Sequence, residues 1–386
     1  MNQTELDDLD ASADSREEAG GYLTEERVDD LDEAEEVIEY TYPITSYGAD
    51  YPVDSLVKRI EKGDVVVPIF NWKKPKDTDI LGFQRDYVWP RSTADRFIES
   101  LLLGLPVPGV FLVREPSGLL LVLDGHQRLH TLRSYYQGVI GGEEYRLANV
   151  QKRFEGKSYK DLDTEDRRRI DDSIIHATIV RQDQPTDDQS SIYVIFERLN
   201  TGGVNLQPQE IRVTLYHGEF VRVLQALNDD SSWRKLYGVK SRRLKDMELI
   251  LRFLAFYYYA EKYESPMKGF LNRYMATNRN LQKQTEEELR RVFTTTTKTI
   301  FDALGQKAFR PKRAINAAVV DSLMIGVAKR ITAKGASLSD FPKLREQFRK
   351  LMNDPTYVGA IETGTSQEAN VRNRISQAEL AFAEVS

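Results

Sequence analysis

The apolar and polar positions of the chain fall into three regimes. Residues 1–40 have no repeating apolar face. Residues 41–225 alternate short apolar runs with amphipathic stretches, and in residues 226–386 the apolar positions recur at helical spacing. In the middle regime Tyr42 to Tyr51 enters the folded body, and Leu56, Val57 and Ile60 fit a short helix capped by Asp54 and stopped by Gly63. Val65 to Phe70 has the continuous apolar character of a strand. Ser92 opens an amphipathic helix whose Ala94, Phe97, Ile98, Leu101 and Leu102 share one face, ended by Gly104. Val110 to Arg114 and Leu119 to Leu123 flank Glu115-Pro116-Ser117-Gly118, a hairpin turn. Ser173 to Arg181 predicts a further strand. Ser190 begins a helix with Ile192, Ile195, Phe196 and Leu199 on one side, and Pro208 fits the first turn of the next, with Ile211 and Leu215 inward.

The last regime predicts helices over Met247 to Tyr263, Pro311 to Ile331, Leu338 to Met352 and Thr365 to Val385, with another opened by Thr285 and the glutamates after it. Tyr257-Tyr258-Tyr259 can stack nucleobases, although a Tyr run at helical spacing is more often core. The pattern predicts an α/β (α+β) N-terminal domain with a small mixed sheet and an all-α C-terminal domain. The expected division is an acidic, disordered tail over 1–40, the α/β domain over 41–225 and the helical domain over 226–386.

Charge changes this picture in one respect. The net charge is −6, but residues 1–40 hold 16 Asp/Glu against two Arg, which leaves +8 on the remainder. An acidic segment is thus attached to a basic body, and basic bodies can neutralise phosphates. Candidate phosphate contacts are Arg167-Arg168-Arg169, Arg310, Lys312, Arg313, Arg372 and Arg374, with a solvated surface the plain alternative. The chain has no cysteine, which excludes disulfides, thiolate metal sites and a Cys nucleophile and fits a reducing cytoplasm. The acidic start is unlike a signal peptide. The best apolar stretches are broken by Gly104, Pro106 and Pro108, or by Arg252, so no membrane segment is expected.

The chemistry concentrates at Leu119 to Gly138, LLLVLDGHQRLHTLRSYYQG. An apolar strand meets Asp124-Gly125 turn chemistry, and a helix follows that Gly138 closes. The first amides of such a helix lack internal acceptors and its dipole makes that end electropositive, so an anion can bind there with help from Arg128. Asp124 can hold Mg²⁺, orient a water or simply cap the helix. His126 and His130, four apart, can face one metal, but no third ligand and no HExxH arrangement accompanies them. No Walker A sequence is present, which excludes a P-loop enzyme.

Asp124-Gly125-His126-Gln127-Arg128 resembles the DGQQR signature of the S-subunit domain of GmrSD-type modification-dependent restriction systems, a domain of the ParB/sulfiredoxin-like superfamily. Two further blocks match in order. Phe83-Gln84-Arg85-Asp86-Tyr87-Val88-Trp89-Pro90, followed by Ile98 to Gly104, is similar to the family's first block; Ile195 to Gly203, followed by Gln209-Glu210-Ile211-Arg212, is similar to its third. The likeness covers about residues 45–225. His126 stands where the family usually has Gln, and His130 where Thr is usual.

The resemblance implies a nucleotide-binding domain that hydrolyses nucleoside triphosphates. It implies that Arg85, Gly125, His126, Arg128 and the Asn200-Thr201-Gly202 turn hold the nucleotide, that Asp124, Gln127 and Gln84 serve catalysis, and that Asp124 takes Mg²⁺. The function it suggests is that of an NTP-hydrolysing sensor in a prokaryotic anti-phage restriction system acting on DNA, partnered by a separate nuclease or effector chain and compatible with homo-oligomers. The nuclease cassette of the HNH type that commonly follows this module in fused relatives is not recognisable, so the chain alone is not expected to cut DNA. The alternative is a ParB-like DNA-binding or clamp protein that uses nucleotide only as a switch.

Overall fold

A computed structural model describes residues 27–29, 36–38, 42–67, 89–182, 184, 189–199, 206–335 and 337–386. Its centre is a five-stranded mixed sheet in the order β2-β8-β4-β5-β3. The strands are β2 (Ile44–Pro52), β3 (Val65–Val66), β4 (Val110–Arg114), β5 (Leu120–Asp124) and β8 (Ile174–Gln182). β2 lies antiparallel to β8, β8 parallel to β4, β4 antiparallel to β5, and β5 parallel to β3. Four short strands pair elsewhere: β6 (Val139–Ile140) with β7 (Glu143–Glu144), and β1 (Val28–Asp29) with β9 (Ile315–Asn316).

Strand alternation sends neighbouring side chains to opposite faces, and both faces of β4 and β5 are buried, which is why these strands read as unbroken apolar runs. On one face Val110, Leu112, Leu120 and Val122 pack on helices Val53–Lys62, Arg91–Leu102, His126–Gln137 and Thr164–Asp172. On the other, Val113, Leu121, Leu123 and Val180 join Ile192 and Phe196 of helix Ser190–Leu199. That second core continues without a break into the C-terminal helices, across residue 225. The protein is therefore mixed α/β with a small mixed sheet, followed by a helical C-terminal region, as the sequence pattern predicts.

The helical region is built around Lys245–Tyr259 and Ala317–Lys334. The second lies close against Glu368–Phe382: a Cβ on Gly326 would meet Ala378 O at 2.9 Å and Phe382 Cδ2 at 2.8 Å, so only glycine permits this approach. Inside this packing Asp321 bonds two buried arginines, Arg252 (2.8 Å) and Arg374 (3.0 Å). Parts of the acidic segment are structured too. Val28–Asp29 pairs with Ile315–Asn316, and Glu36 accepts the Lys268 amide (2.9 Å) while its carbonyl takes the Lys268 ammonium (2.7 Å).

Several element boundaries differ from the sequence expectations. Asp54 lies in the first turn of its helix and pairs with Lys58, while Pro52 holds the cap position. The helix expected from Ser92 starts at Arg91 after Pro90, a rigid entry that fixes the preceding φ. The helix expected from Pro311 begins only at Ala317, because Ile315–Asn316 pairs with Val28–Asp29 and the Asn316 side chain then caps Val319. Arg374 does not face a ligand: it is fully buried on Asp321. Arg372 pairs with Glu368, and Arg310 holds the carbonyls of Leu236 and Tyr237. Arg167 and Arg169 of the arginine triplet likewise bind carbonyls, Arg167 those of Lys160 and Leu162, Arg169 that of Leu102.

Candidate functional site

The turn from β5 into helix His126–Gln137 is shaped by a bulge. The register of β4 against β5 shifts between Phe111 and Leu112, so that Phe111 lies opposite Asp124 at the end of the strand. Gly125 follows with φ 100°, a backbone that L side chains rarely adopt. A Cβ there would lie 2.5 Å from Val110 Cγ1, inside the packed β4. Sequence chemistry makes Asp124 a candidate helix cap, but it remains in the strand; Gly125 is the cap residue and no side chain caps the helix.

Asp124 instead pairs with Arg128, one helical turn on. Arg128 Nη2 donates to Asp124 Oδ2 at 2.8 Å and to the Gly109 carbonyl at 2.9 Å. The Arg128 side chain is 16% exposed and that of Asp124 44%. Arg128 Nε is buried and has no acceptor among the described residues. The guanidinium is thus anchored on one edge and has an unsatisfied donor on another, beside the electropositive end of a helix.

His126 turns back toward its strand, and its Nε2 donates to the Val122 carbonyl at 2.8 Å. Burial pushes its pKa down to about 3, the Val122 bond opposing and Arg128 adding to the shift. The ring is neutral at pH 7, with Nδ1 as an acceptor. Gln127 points the other way. Its Oε1 accepts the Trp89 amide at 3.3 Å, and the Trp89 ring sits edge-on to Phe97 at 5.7 Å. This bond brings the end of the first sequence block against the DGHQR turn. His130 Nδ1 lies 3.3 Å from Ser134 Oγ, and burial lowers its pKa as well.

The structure thus gathers Asp124, Gly125, His126, Gln127 and Arg128 in one turn. Gln84, Arg85, Asn200, Thr201 and Gly202 lie outside the described residues. Among the described residues no three His, Asp or Glu side chains come together as a metal cluster. Asp124 does fit the looser demand of Mg²⁺, which commonly takes one or two protein carboxylates together with substrate phosphates. Its carboxylate is half-exposed, and the ion pair with Arg128 engages only Oδ2.

Two contributors at this end of the sheet are not apparent in the sequence. The Gly109 carbonyl holds Arg128, and a Cβ on Gly109 would meet the His176 carbonyl at 2.6 Å. His176 in turn bonds Asp50 across the β2–β8 pair at 2.5 Å. The alternation of exposed and buried residues along β8 is the one sequence signal that could place His176 on an open face.

Residues 69–217 match the family model described as the GmrSD restriction endonuclease, N-terminal domain. All three sequence blocks fall inside that span, and the match supports a GmrSD-type N-terminal domain there. No curated protein and no solved structure matches the chain. No helix among the described residues is long and apolar enough to cross a membrane.

Proposed function

We propose that the GmrSD-type N-terminal domain of this chain binds a nucleoside triphosphate at the Gly125 turn and hydrolyses it, as the regulatory, DNA-sensing component of a restriction system whose nuclease is another chain. The observation that carries this reading is the Arg128 guanidinium. It is fixed by Asp124 and Gly109, it retains an unsatisfied Nε donor, and it stands at the uncapped start of a helix. A phosphate meets a positive field and a charge-assisted donor there at once. The Trp89–Gln127 bond supports a contribution from Gln84 and Arg85, five and four residues before Trp89. Asn200, Thr201 and Gly202 complete the set by the order of the blocks.

Phosphoryl transfer requires positioning and charge neutralisation rather than a covalent nucleophile, so this residue set is adequate. Arg128 and Arg85 hold phosphate oxygens, Gly125 lets the backbone come close, and the neutral His126 offers Nδ1 as an acceptor. Asp124, with Gln127 and Gln84, orients the attacking water. Asp124 would also hold Mg²⁺, which when bound neutralises charge developing on the phosphates.

The test is nucleotide binding by calorimetry and phosphate release by the pure protein, with Mg²⁺ and with or without DNA. Saturable binding that Arg128→Ala weakens supports the reading. Absence of binding to every common triphosphate, or wild-type affinity in Arg128→Ala, overturns it. Binding without release, with or without DNA, would replace hydrolysis by a nucleotide switch.

A further inference from the structure

The helical region carries a cationic hollow that the nucleotide reading does not use. It measures about 500 Å³ and is lined by Arg234, Lys235, Gly238, Gln306, Lys307 and Arg310, four cations and no carboxylate. Its two walls are locked together. Arg310 donates to the carbonyls of Leu236 and Tyr237 at 2.6 Å each, joining the end of helix Ser231–Tyr237 to the turn after helix Glu286–Leu304. Arg234 is spent on the buried Asp246 (3.0 Å) and Asn228 (2.7 Å). Lys235 and Lys307 are exposed, and neither has a carboxylate within ion-pair distance among the described residues. Lys235 Nζ rests over the Phe301 ring at 4.9 Å. Arg242 and Arg313, both exposed, lie four and three residues beyond Gly238 and Arg310 along the chain.

The acidic segment is attached beside this surface. Val28 pairs with Ile315 and Asp29 with Asn316, and the Ile315 amide donates to the Arg27 carbonyl at 3.0 Å. The pairing is parallel, so residues 1–26 join the body on the side of Lys312 and Arg313. Those 26 residues hold nine Asp/Glu and one Arg. At roughly 3.3 Å per extended residue, even a third of them spans about 30 Å, so reach imposes no constraint. Tethering a segment of this length gives an effective concentration of the order of millimolar, enough for weak electrostatic contacts to be populated.

We infer that residues 1–26 dock in cis on the hollow around Lys235 and Lys307, as an acidic peptide occupying a polyanion site. Charge complementarity, the attachment point and the length of the segment all select this occupant. A segment held there competes with any other polyanion for the same cations, and both its docking and that competition weaken as salt screens them. The inference does not depend on nucleotide binding at the Gly125 turn.

The test is carbodiimide cross-linking of the full chain, which joins a carboxylate to a lysine only where the two touch, read by mass spectrometry. At low salt, links from the carboxylates of residues 5–26 to Lys235 and Lys307 in the monomer band should exceed links to Lys62 and Lys152, on the far side of the sheet, by about tenfold. The preference should vanish near 1 M salt, where the screening length is about 3 Å. In the full-length Lys235→Glu/Lys307→Glu variant, links to the untouched Lys240 and Lys312 should fall as well, because the segment is released. A melting curve checks that this surface variant is folded. Equal linking to all lysines, or Lys312 links unchanged in the variant, overturns the inference. Links confined to covalent dimers overturn docking in cis and assign the hollow to the acidic segment of a second copy.

Discussion

Arg279 Nη2 lies 2.9 Å from Glu115 Oε1, a pair separated by 164 residues that fastens the β4–β5 hairpin to the helical region. Arg279 Nε also donates to the His217 carbonyl at 2.6 Å, and a Cβ on the adjacent Gly218 would meet the Arg279 carbonyl at 2.5 Å. The Glu115 side chain is only 7% exposed, so this buried carboxylate has little access to water in place of its partner. Arg279→Met should cost about 3 kcal/mol by leaving a buried carboxylate unpaired, and Glu115→Gln in the same chain should restore much of it. Urea unfolding of the single and double variants measures the coupling. Additive losses would show that the two side chains act separately.

His217 completes that cluster and gives it a pH dependence. Its Nδ1 donates to the Thr214 carbonyl at 3.3 Å, and its Nε2 accepts from Arg279 at 3.1 Å, which describes a neutral ring. Burial holds its pKa below the ordinary 6.5; Glu115 opposes this and Arg279 reinforces it. The folded state therefore binds fewer protons than the unfolded chain. The stabilising contribution is complete above the ordinary value and is lost as the pH falls from there toward the lowered one. The slope for one proton is at most about 1.4 kcal/mol per pH unit. His217→Gln should flatten the urea midpoint between pH 7.5 and 5. An unchanged slope in that variant would assign the acid sensitivity to other groups.

Two glycines with positive φ separate packing from backbone strain. Gly125→Ala places a methyl 2.5 Å from Val110 Cγ1 in addition to an unfavourable φ, and should cost roughly 2–5 kcal/mol. Gly138 has φ 75° with nothing within 4 Å of an added Cβ, so Gly138→Ala should cost only about 1 kcal/mol. Val110→Ala should relieve part of the Gly125→Ala loss. Thermal melts of the four variants compare these directly, and equal losses at the two glycines would show that the Val110 contact is immaterial.

Arg128 has a structural role in this fold besides the proposed one. Arg128→Ala should weaken nucleotide binding ten- to a hundredfold and also lower stability by about 1–3 kcal/mol, because the Gly109 carbonyl and Asp124 lose their partner. Asp124→Asn retains the shape and should reduce phosphate release more than binding. Calorimetry performed on the folded fraction keeps the two effects apart. A purely structural Arg128 would change the melting temperature and leave affinity alone.

Asp321 is fully buried between Arg252 and Arg374. Asp321→Ala would leave two buried cations without a counter-charge and should cost about 3–5 kcal/mol. Soluble expression and a cooperative melt at the wild-type temperature would contradict this.

Much of the fold is legible in the sequence because it is local. The Leu120–Asp124 strand, the Gly125 turn and the Gly138 stop follow from apolar runs and glycine placement, and the capping box at Thr285 is observed where its residue pattern puts it. The ordered blocks identified the restriction-system domain in the same way, since motif spacing survives along one chain. What depended on distant partners was not legible. Asp124 and Asp54 have the chemistry of helix caps, but each forms an ion pair one turn ahead, and a glycine or proline holds the cap position. Arg374 reads as one more surface cation until packing buries it on Asp321. The helix expected from Pro311 is shortened by a strand contributed from residues 28–29. Helical period and turn chemistry are written within a few residues, whereas burial, ion pairing and the choice of acceptor are decided by what the rest of the chain brings alongside.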